Sequence, residues 1–387
     1  MLKRYFETFT AVIFFTVGST SVVEAGNWLE FAVDPTTGDQ TAPDIYGSKI
    51  VWQELVESDW DIYGVDINNP DDPSFFAIVD FNDQTNPAIY EDIVVWQEYI
   101  ETDWDILGAD INNQNSSQIF WVSSYIDVNE QAPAIHGNTV VWQEDYFGDW
   151  DISGADITDP WSPSEFVIAG HAFDQQSPSV YRTTVVWQHD YFEEDDDIMA
   201  ADIWQRNKPA ESFISLAEPD QQGPAISGNI VVWQENSPGH WDIYGADISD
   251  PNNAVEFPIA IDKTNGMNPD IDENIVVWQD DRHGDWDIYG YNLTTREEFQ
   301  ITDHPADQIN PAISGTVVVW QDNRDSGGWN IYAAVLAGPE VARCTSRIPG
   351  DVDGNCKVNF ADFALMASDW LAYNLEWDAP ADRSRSR

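Results

Sequence analysis

One unit recurs seven times along this chain of 387 residues and sets what it can fold into. In its clearest copy the unit reads Val140-Val141-Trp142-Gln143-Glu144, a short acidic stretch, then Trp150-Asp151-Ile152-Ser153-Gly154-Ala155-Asp156-Ile157. The Trp of the Val-Trp-Gln core falls at Trp52, Trp96, Trp142, Trp187, Trp233, Trp278 and Trp320; subtraction gives spacings of 44, 46, 45, 46, 45 and 42 residues. A proline lies nine residues before each, at Pro43, Pro87, Pro133, Pro178, Pro224, Pro269 and Pro311. A period in the low-to-mid forties with strand-like runs inside it signals a propeller blade or a repeat array.

Each repeat reads as four short strands. In the fifth, residues 223–227 form a strand with a proline near its start, and Gly228-Asn229 a two-residue hairpin turn. Residues 230–235, 242–248 and 255–261 follow as the second, third and fourth strands, the last two separated by a polar turn. The second strand is almost continuously apolar, the pattern of a strand buried on both faces. Its tryptophans therefore read as core, and the Gln that follows each, Gln53 through Gln321, as an inter-blade hydrogen bond. The seventh repeat lacks a fourth strand, whereas residues 29–33 stand as a spare strand before the first. Pairing the two would close a ring and remove an open edge.

The formal charge is −53, from 69 acidic and 16 basic residues. That excludes an electrostatic nucleic-acid binder, which needs Lys and Arg to replace phosphate counterions. With 42% hydrophobic and 13% aromatic residues the chain still has the means to bury a core. Acidic residues recur at two places in the repeat. One is the loop before the first strand, as at Asp39-Gln40, Asp83-Gln84, Asp174-Gln175, Asp220-Gln221 and Asp307-Gln308. The other is the turn between second and third strands, as at Asp59 and Asp61, Asp103 and Asp105, and Asp149 and Asp151. The two share one face of a propeller, giving either a cation-loaded or docking surface or a set of turn-capping aspartates. Trp60, Trp104, Trp150, Trp241, Trp286 and Trp329 open the third strand and read as latches between blades or, if exposed, as platforms for sugar rings.

The regular pattern breaks in two ways. Blades five to seven place His240, Arg282, His283 and Arg324 in the loop between second and third strands, and His304 before the final Asp-Gln entry, on the same expected face. This basic sector is a candidate grip for a carboxylated sugar, with His283 or His240 as general base. Blade four loses its second Trp.

The repeats resemble the TolB-like propellers, also called PD40 or WD40-like. The resemblance rests on Pro269-Asp270-Ile271, on Ile275-Val276-Val277-Trp278, and on Asp285-Trp286-Asp287-Ile288-Tyr289. It covers residues 26–337, although the Pro-Asp-Gly turn usual after the first strand is replaced by Gly-Asn, Gly-Thr or polar pairs. It implies an all-β, seven-bladed propeller of four-stranded blades, exported from a bacterium and used to bind proteins or sugars.

Residues 1–25 read as a secretory signal peptide, with Lys3 and Arg4 before a short apolar run and Val23-Glu24-Ala25 at the cleavage position. No segment is long and apolar enough to span a bilayer. A secreted, cell-surface or periplasmic protein is expected. After a linker at 338–349 comes a calcium-loop pattern, with oxygen donors at Asp351, Asp353, Asn355, Asn359 and Asp362 and a backbone carbonyl at Lys357. This stretch, 350–377 with a helix over 360–372, resembles a type I dockerin and implies bound Ca²⁺ and a cohesin-like or cell-surface partner. It departs from that family in carrying one loop rather than two, and Cys356 where glycine is usual. A disulfide between Cys344 and Cys356 is expected to pin the loop, contributing about 3 kcal/mol. Residues 378–387 read as a disordered tail. The expected function is that of a monomeric, non-catalytic binding or scaffold propeller recognising a protein or polysaccharide. The alternative is a lyase or glycosidase acting on acidic glycans through blades five to seven.

Overall fold

The computed structural model describes residues 28–336, apart from 35–37, 69–72, 113–117, 147, 192–194, 251–252, 262–263 and 326–327. The signal peptide, the linker, the calcium loop with its helix, both cysteines and the tail lie outside the described residues. Within them the fold is all-β, with seven antiparallel four-stranded sheets. Blade five comprises strands Gln221–Ser227, Ile230–Ser237, His240–Asp247 and Val255–Ala260, within a few residues of the sequence expectation. First strands touch their neighbours in turn, and Gln40–Tyr46 of blade one meets Gln308–Ser314 of blade seven. This is a closed seven-bladed β-propeller.

The closing strand is the spare one. Leu29–Ala32 pairs antiparallel with Asn330–Val335, in register Leu29 to Val335 and Ala32 to Tyr332. Arg324 then bonds Glu30 of that strand at 2.9 Å, and the Trp28 indole donates to the Gln300 carbonyl of blade six at 3.0 Å.

All seven Val-Trp-Gln tryptophans are fully buried at 0% exposure. Each wedges between its own sheet and the preceding one, as Trp233 of blade five does against Val186 and Ile198 of blade four. In five blades the indole N–H donates to the acidic side chain two residues on: Glu54, Glu98, Glu144, Asp280 and Asp322, at 3.0–3.3 Å.

The repeated proline marks a β-bulge that the sequence reading places only as a strand start. The register of first and second strands shifts at this point in all seven blades. The residue before each proline has a left-handed backbone: Ala42, Asn86, Ala132, Ser177, Gly223, Asn268 and Asn310, with φ between 50° and 60°. That conformation turns the amide out of its own sheet. It donates instead to the repeat Gln of the preceding blade: Asn86 to Gln53, Ala132 to Gln97, Ser177 to Gln143, Gly223 to Gln188, Asn268 to Gln234, Asn310 to Gln279 and Ala42 to Gln321. The expected inter-blade role of the seven glutamines is thus observed at every junction. Proline follows because it has no N–H to leave unpaired at a bulge.

Two outcomes test this architecture. Gln97→Ala removes a buried acceptor for Ala132 and for the Asn86 side chain. It should cost about 1–3 kcal/mol in a denaturant titration, and under 0.5 kcal/mol would contradict the latch. Deleting residues 28–33 should lower the melting temperature by uncovering the edge at Asn330–Val335; an unchanged temperature would contradict closure.

Candidate functional site

First strands run from one face of the ring, where the acidic loops lie, to the other, where the first-to-second-strand hairpins lie. The two faces differ in what their side chains are doing.

On the acidic face the repeated residues are engaged between blades. At five junctions the aspartate or asparagine before the first strand accepts the backbone N–H of the tryptophan opening the preceding blade's third strand. These contacts are Trp60 to Asp83, Trp150 to Asp174, Trp241 to Asn265, Trp286 to Asp307 and Trp329 to Asp39, at 2.9–3.2 Å. The tryptophans are half-buried, consistent with latches. In four blades the aspartate that follows, Asp61, Asp105, Asp242 or Asp287, is more deeply placed. Burial, then the carboxylate two residues earlier, pushes Asp61, Asp151 and Asp287 up to about 6 and Asp105 and Asp197 up to about 7. Among the described residues no three His, Cys, Asp or Glu side chains are grouped to hold a metal ion.

The five residues of the basic sector share this face, each engaged in its own blade or loop. Arg282 makes ion pairs of 2.6 Å with both Asp280 and Glu298 and lies 4.0 Å from the Tyr289 ring centroid. Arg324 repeats the arrangement in blade seven, between Asp322 and Glu30 and 4.3 Å from the Tyr332 centroid. Both guanidinium groups are thus held by internal carboxylates. His240 Nε2 is 3.3 Å from Asp242, and His304 Nδ1 accepts the Ala306 amide at 3.2 Å. His283 is exposed, with Nδ1 3.4 Å from the Tyr289 hydroxyl and 3.5 Å from Asp287.

Blade four departs further than its missing tryptophan suggests. His189, only 4% exposed, stands where other blades place the acceptor for the buried indole. Its imidazole is held below its usual range by burial and then by His171. His171 Nε2 bonds Glu211 at 2.6 Å, and with Met199, Phe173 and Phe213 these residues line a cavity of about 380 Å³.

The hairpin face carries a wide opening. The ends of all seven first strands line the mouth of the central channel, a cavity of about 850 Å³. The last residue of each strand forms its wall: Tyr46, Tyr90, His136, Tyr181, Ser227, Asp272 and Ser314. Blades one to four thus present four rings in continuous contact, with successive centroids 4.5, 4.5 and 4.7 Å apart. Blades five to seven present small or polar groups. Deeper in, Asp44 and Asp270 stand where other blades have Ala or Ser. Each accepts an amide from the next blade, Ile89 to Asp44 at 2.7 Å and Ile313 to Asp270 at 2.8 Å. Enclosure pushes Asp44 up to about 7 and Asp270 up to about 6. The sequence reading missed this mouth. The signal was present as an aromatic residue just before the hairpin turn in four consecutive repeats.

No family model matches the chain, and no curated protein is significantly similar to it. Solved structures are similar in fold. A puromycin-hydrolysing peptidase of Mycobacterium tuberculosis matches with a TM-score of 0.59 at 12% identity, over 84% of this chain and 57% of the peptidase. The chain therefore spans little more than half that enzyme's length. The β-propeller domain of the Trilobed protease from Pyrococcus furiosus matches with 0.59 at 12%, over 79% of this chain and 94% of that domain. That domain has an open velcro topology, whereas here the N-terminal strand closes the ring. TolB from Acinetobacter baumannii gives 0.46 at 11%, over 65% of this chain and 62% of its own.

The raised carboxyl groups give a pH dependence of definite sign. Asp44, Asp105, Asp197 and Glu130, the last pushed up to about 8 by burial, keep protons when folded that an unfolded chain releases near pH 4. Their contribution is full below about pH 4 and is lost as pH rises through their folded values, so stability falls with rising pH across this window. Asp156 and Asp247, held low, act oppositely but are fewer. Melting temperature should be higher at pH 5 than at pH 8; the reverse order would contradict the assignment.

Proposed function

We propose that this chain is an exported, non-catalytic binding propeller that holds a polysaccharide or protein at its channel mouth. On this reading a dockerin-like calcium module at 350–377 tethers it to a cohesin-like or cell-surface partner. The observation that carries it is the arc of Tyr46, Tyr90, His136 and Tyr181 around an open cavity, facing a polar arc across the channel. Flat apolar rings opposite hydrogen-bonding groups are what sugar rings and extended peptides both need. The similar propellers in peptidases support a scaffold role at the level of fold.

An enzyme acting on acidic glycans is the less favoured reading. Exposed His283 beside the Tyr289 hydroxyl favours it. The pairing of Arg282 and Arg324 with internal carboxylates weighs against their gripping a substrate.

At the C-terminus Asp351, Asp353, Asn355, Asn359 and Asp362 would hold Ca²⁺ through hard oxygen donors, with the Lys357 carbonyl completing the set. Calorimetric titration of the full chain should give one saturable calcium site, lost in the Asp351→Ala, Asp362→Ala double variant. No site, or one that survives the substitutions, would remove the tether from the proposal. For the mouth, glycan-array and pull-down capture should fall at least tenfold in Tyr90→Ala without turnover of the captured ligand; unchanged capture would reject the mouth.

A further inference from the structure

The aromatic arc of the channel mouth continues outward across blade four. The seven hairpin turns that form the channel rim begin with Gly47, Glu91, Gly137, Arg182, Gly228, Glu273 and Gly315, all left-handed with φ between 52° and 63°. Glycine takes that conformation without strain, so a side chain there is retained against a backbone cost. Arg182 is the one cation among the seven. It stands directly after Tyr181, the last ring of the arc, with its guanidinium carbon 5.3 Å from that ring's centroid. Its charge reaches back into the arc. After burial, Arg182 is the second cause holding the His136 imidazole below its usual range.

Arg182 also lines a second cavity, of about 530 Å³, with Trp204 and Arg206. The two cavities therefore adjoin at this residue. The Ile203 amide donates to the Thr183 carbonyl at 2.8 Å, which fixes the turn carrying Trp204 beside the turn carrying Arg182. Trp204 is 78% exposed, and its ring is free to take a ligand. Arg206 is held by Asp156 and stacks on Phe166, 5.5 Å from the ring centroid. Among the described residues there are seven Lys and Arg side chains, and three of them, Arg182, Arg206 and Lys208, belong to this one corner of blade four. No described carboxylate pairs with Arg182. On a chain of formal charge −53 this clustering of cations is a selective feature.

We propose that the hairpin face of blades one to four is a binding cleft for an acidic polysaccharide. A uronate chain would run along the aromatic arc, place a carboxylate on Arg182 and stack a sugar ring on Trp204. This rests on the binding reading above and adds the ligand class. The arc supplies apolar faces for pyranose rings, and a guanidinium matches a carboxylate through two parallel hydrogen bonds. The channel carboxylates Asp44, Asp270 and Asp272 lie on blades one and six, across the mouth from Arg182, where they suit sugar hydroxyls. Repulsion from the acidic body is screened beyond about 8 Å at physiological salt, so the local cations decide.

The test uses the full chain at physiological salt and isothermal calorimetry. The probes are a galacturonate oligomer, the same oligomer methyl-esterified, and poly-glutamate. The acidic oligomer should bind about tenfold tighter than its ester, a difference of about 1.4 kcal/mol. Arg182→Gln should abolish that preference, and Trp204→Ala should weaken both glycans about tenfold. Arg182→Gly supplies a second check, since it relieves the left-handed turn: it should melt no lower than the parent chain while losing the preference for acid. Arg296→Gln, in blade six, should change nothing. A preference that survives in Arg182→Gln, poly-glutamate competing as well as galacturonate, or no galacturonate binding would each overturn the uronate cleft. If neutral glycans or a protein are still captured, and lost in Tyr90→Ala, the binding reading stands without it. If Tyr90→Ala alters no capture, both fall.

Discussion

The hydrogen bond between each bulge amide and the Gln of the preceding blade is the contact on which the ring depends. A propeller blade has its own sheet hydrogen bonds, but those end at the sheet's edges; of the polar contacts that cross between blades, the one from bulge amide to Gln is present at all seven junctions. The left-handed residue before each proline turns one amide out of the inner edge and aims it across the gap. Because Gln directly follows the fully buried tryptophan, the polar contact and the apolar wedge share one strand. Their spacing sets the offset between neighbouring sheets. The same geometry operates at the seam, where Ala42 donates to Gln321 at 3.0 Å, so blade seven meets blade one as any other pair does.

This arrangement also accounts for how so acidic a chain forms a compact ring. Much of the charge is on turns, where aspartates accept backbone amides of the neighbouring blade. Asp61, Asp105, Asp151 and Asp287 of the Trp-Asp-Ile units and the channel residues Asp44 and Asp270 are shifted toward their neutral forms by enclosure. Burying an ionised carboxylate without a partner is costly, and protonation is the cheaper outcome. Where blades six and seven bring in a guanidinium instead, it is taken up by two carboxylates of that blade. The two arginines of the basic sector that stands out in the sequence are, in space, a pair of internal braces. One of them, Arg324 to Glu30, fastens the closing strand.

Fold was legible in the sequence to the level of blade count, strand order, ring closure and the role of Gln, because each depends on residues that repeat at short range. The bulge was not legible, since proline near a strand start reads as a boundary and the left-handed residue before it is Ala, Asn, Ser or Gly. Arg282 and Arg324 looked available because their second partners, Glu298 and Glu30, come from the outer strand. Only the register of that strand brings them alongside. The channel mouth was hidden for a related reason. Tyr46, Tyr90, His136 and Tyr181 are each unremarkable alone, and become a surface only when four blades are set around an axis. Blade four departs from the repeat on both faces, at His189 on the acidic one and at Arg182 on the hairpin one.

The division of labour follows from these contacts. Repeated residues are consumed in holding blades together, and the groups that vary between blades stand out on the hairpin face. Native-state hydrogen exchange at Asn86, Ser177 and Asn268 tests the underlying claim most directly. These residues are exposed at the surface, yet each amide is bonded to a glutamine of the preceding blade. Their amides should exchange as slowly as those of the buried second strands, opening only when the ring does. Exchange as fast as that of the open turn amides would contradict the inter-blade latch and the architecture built on it.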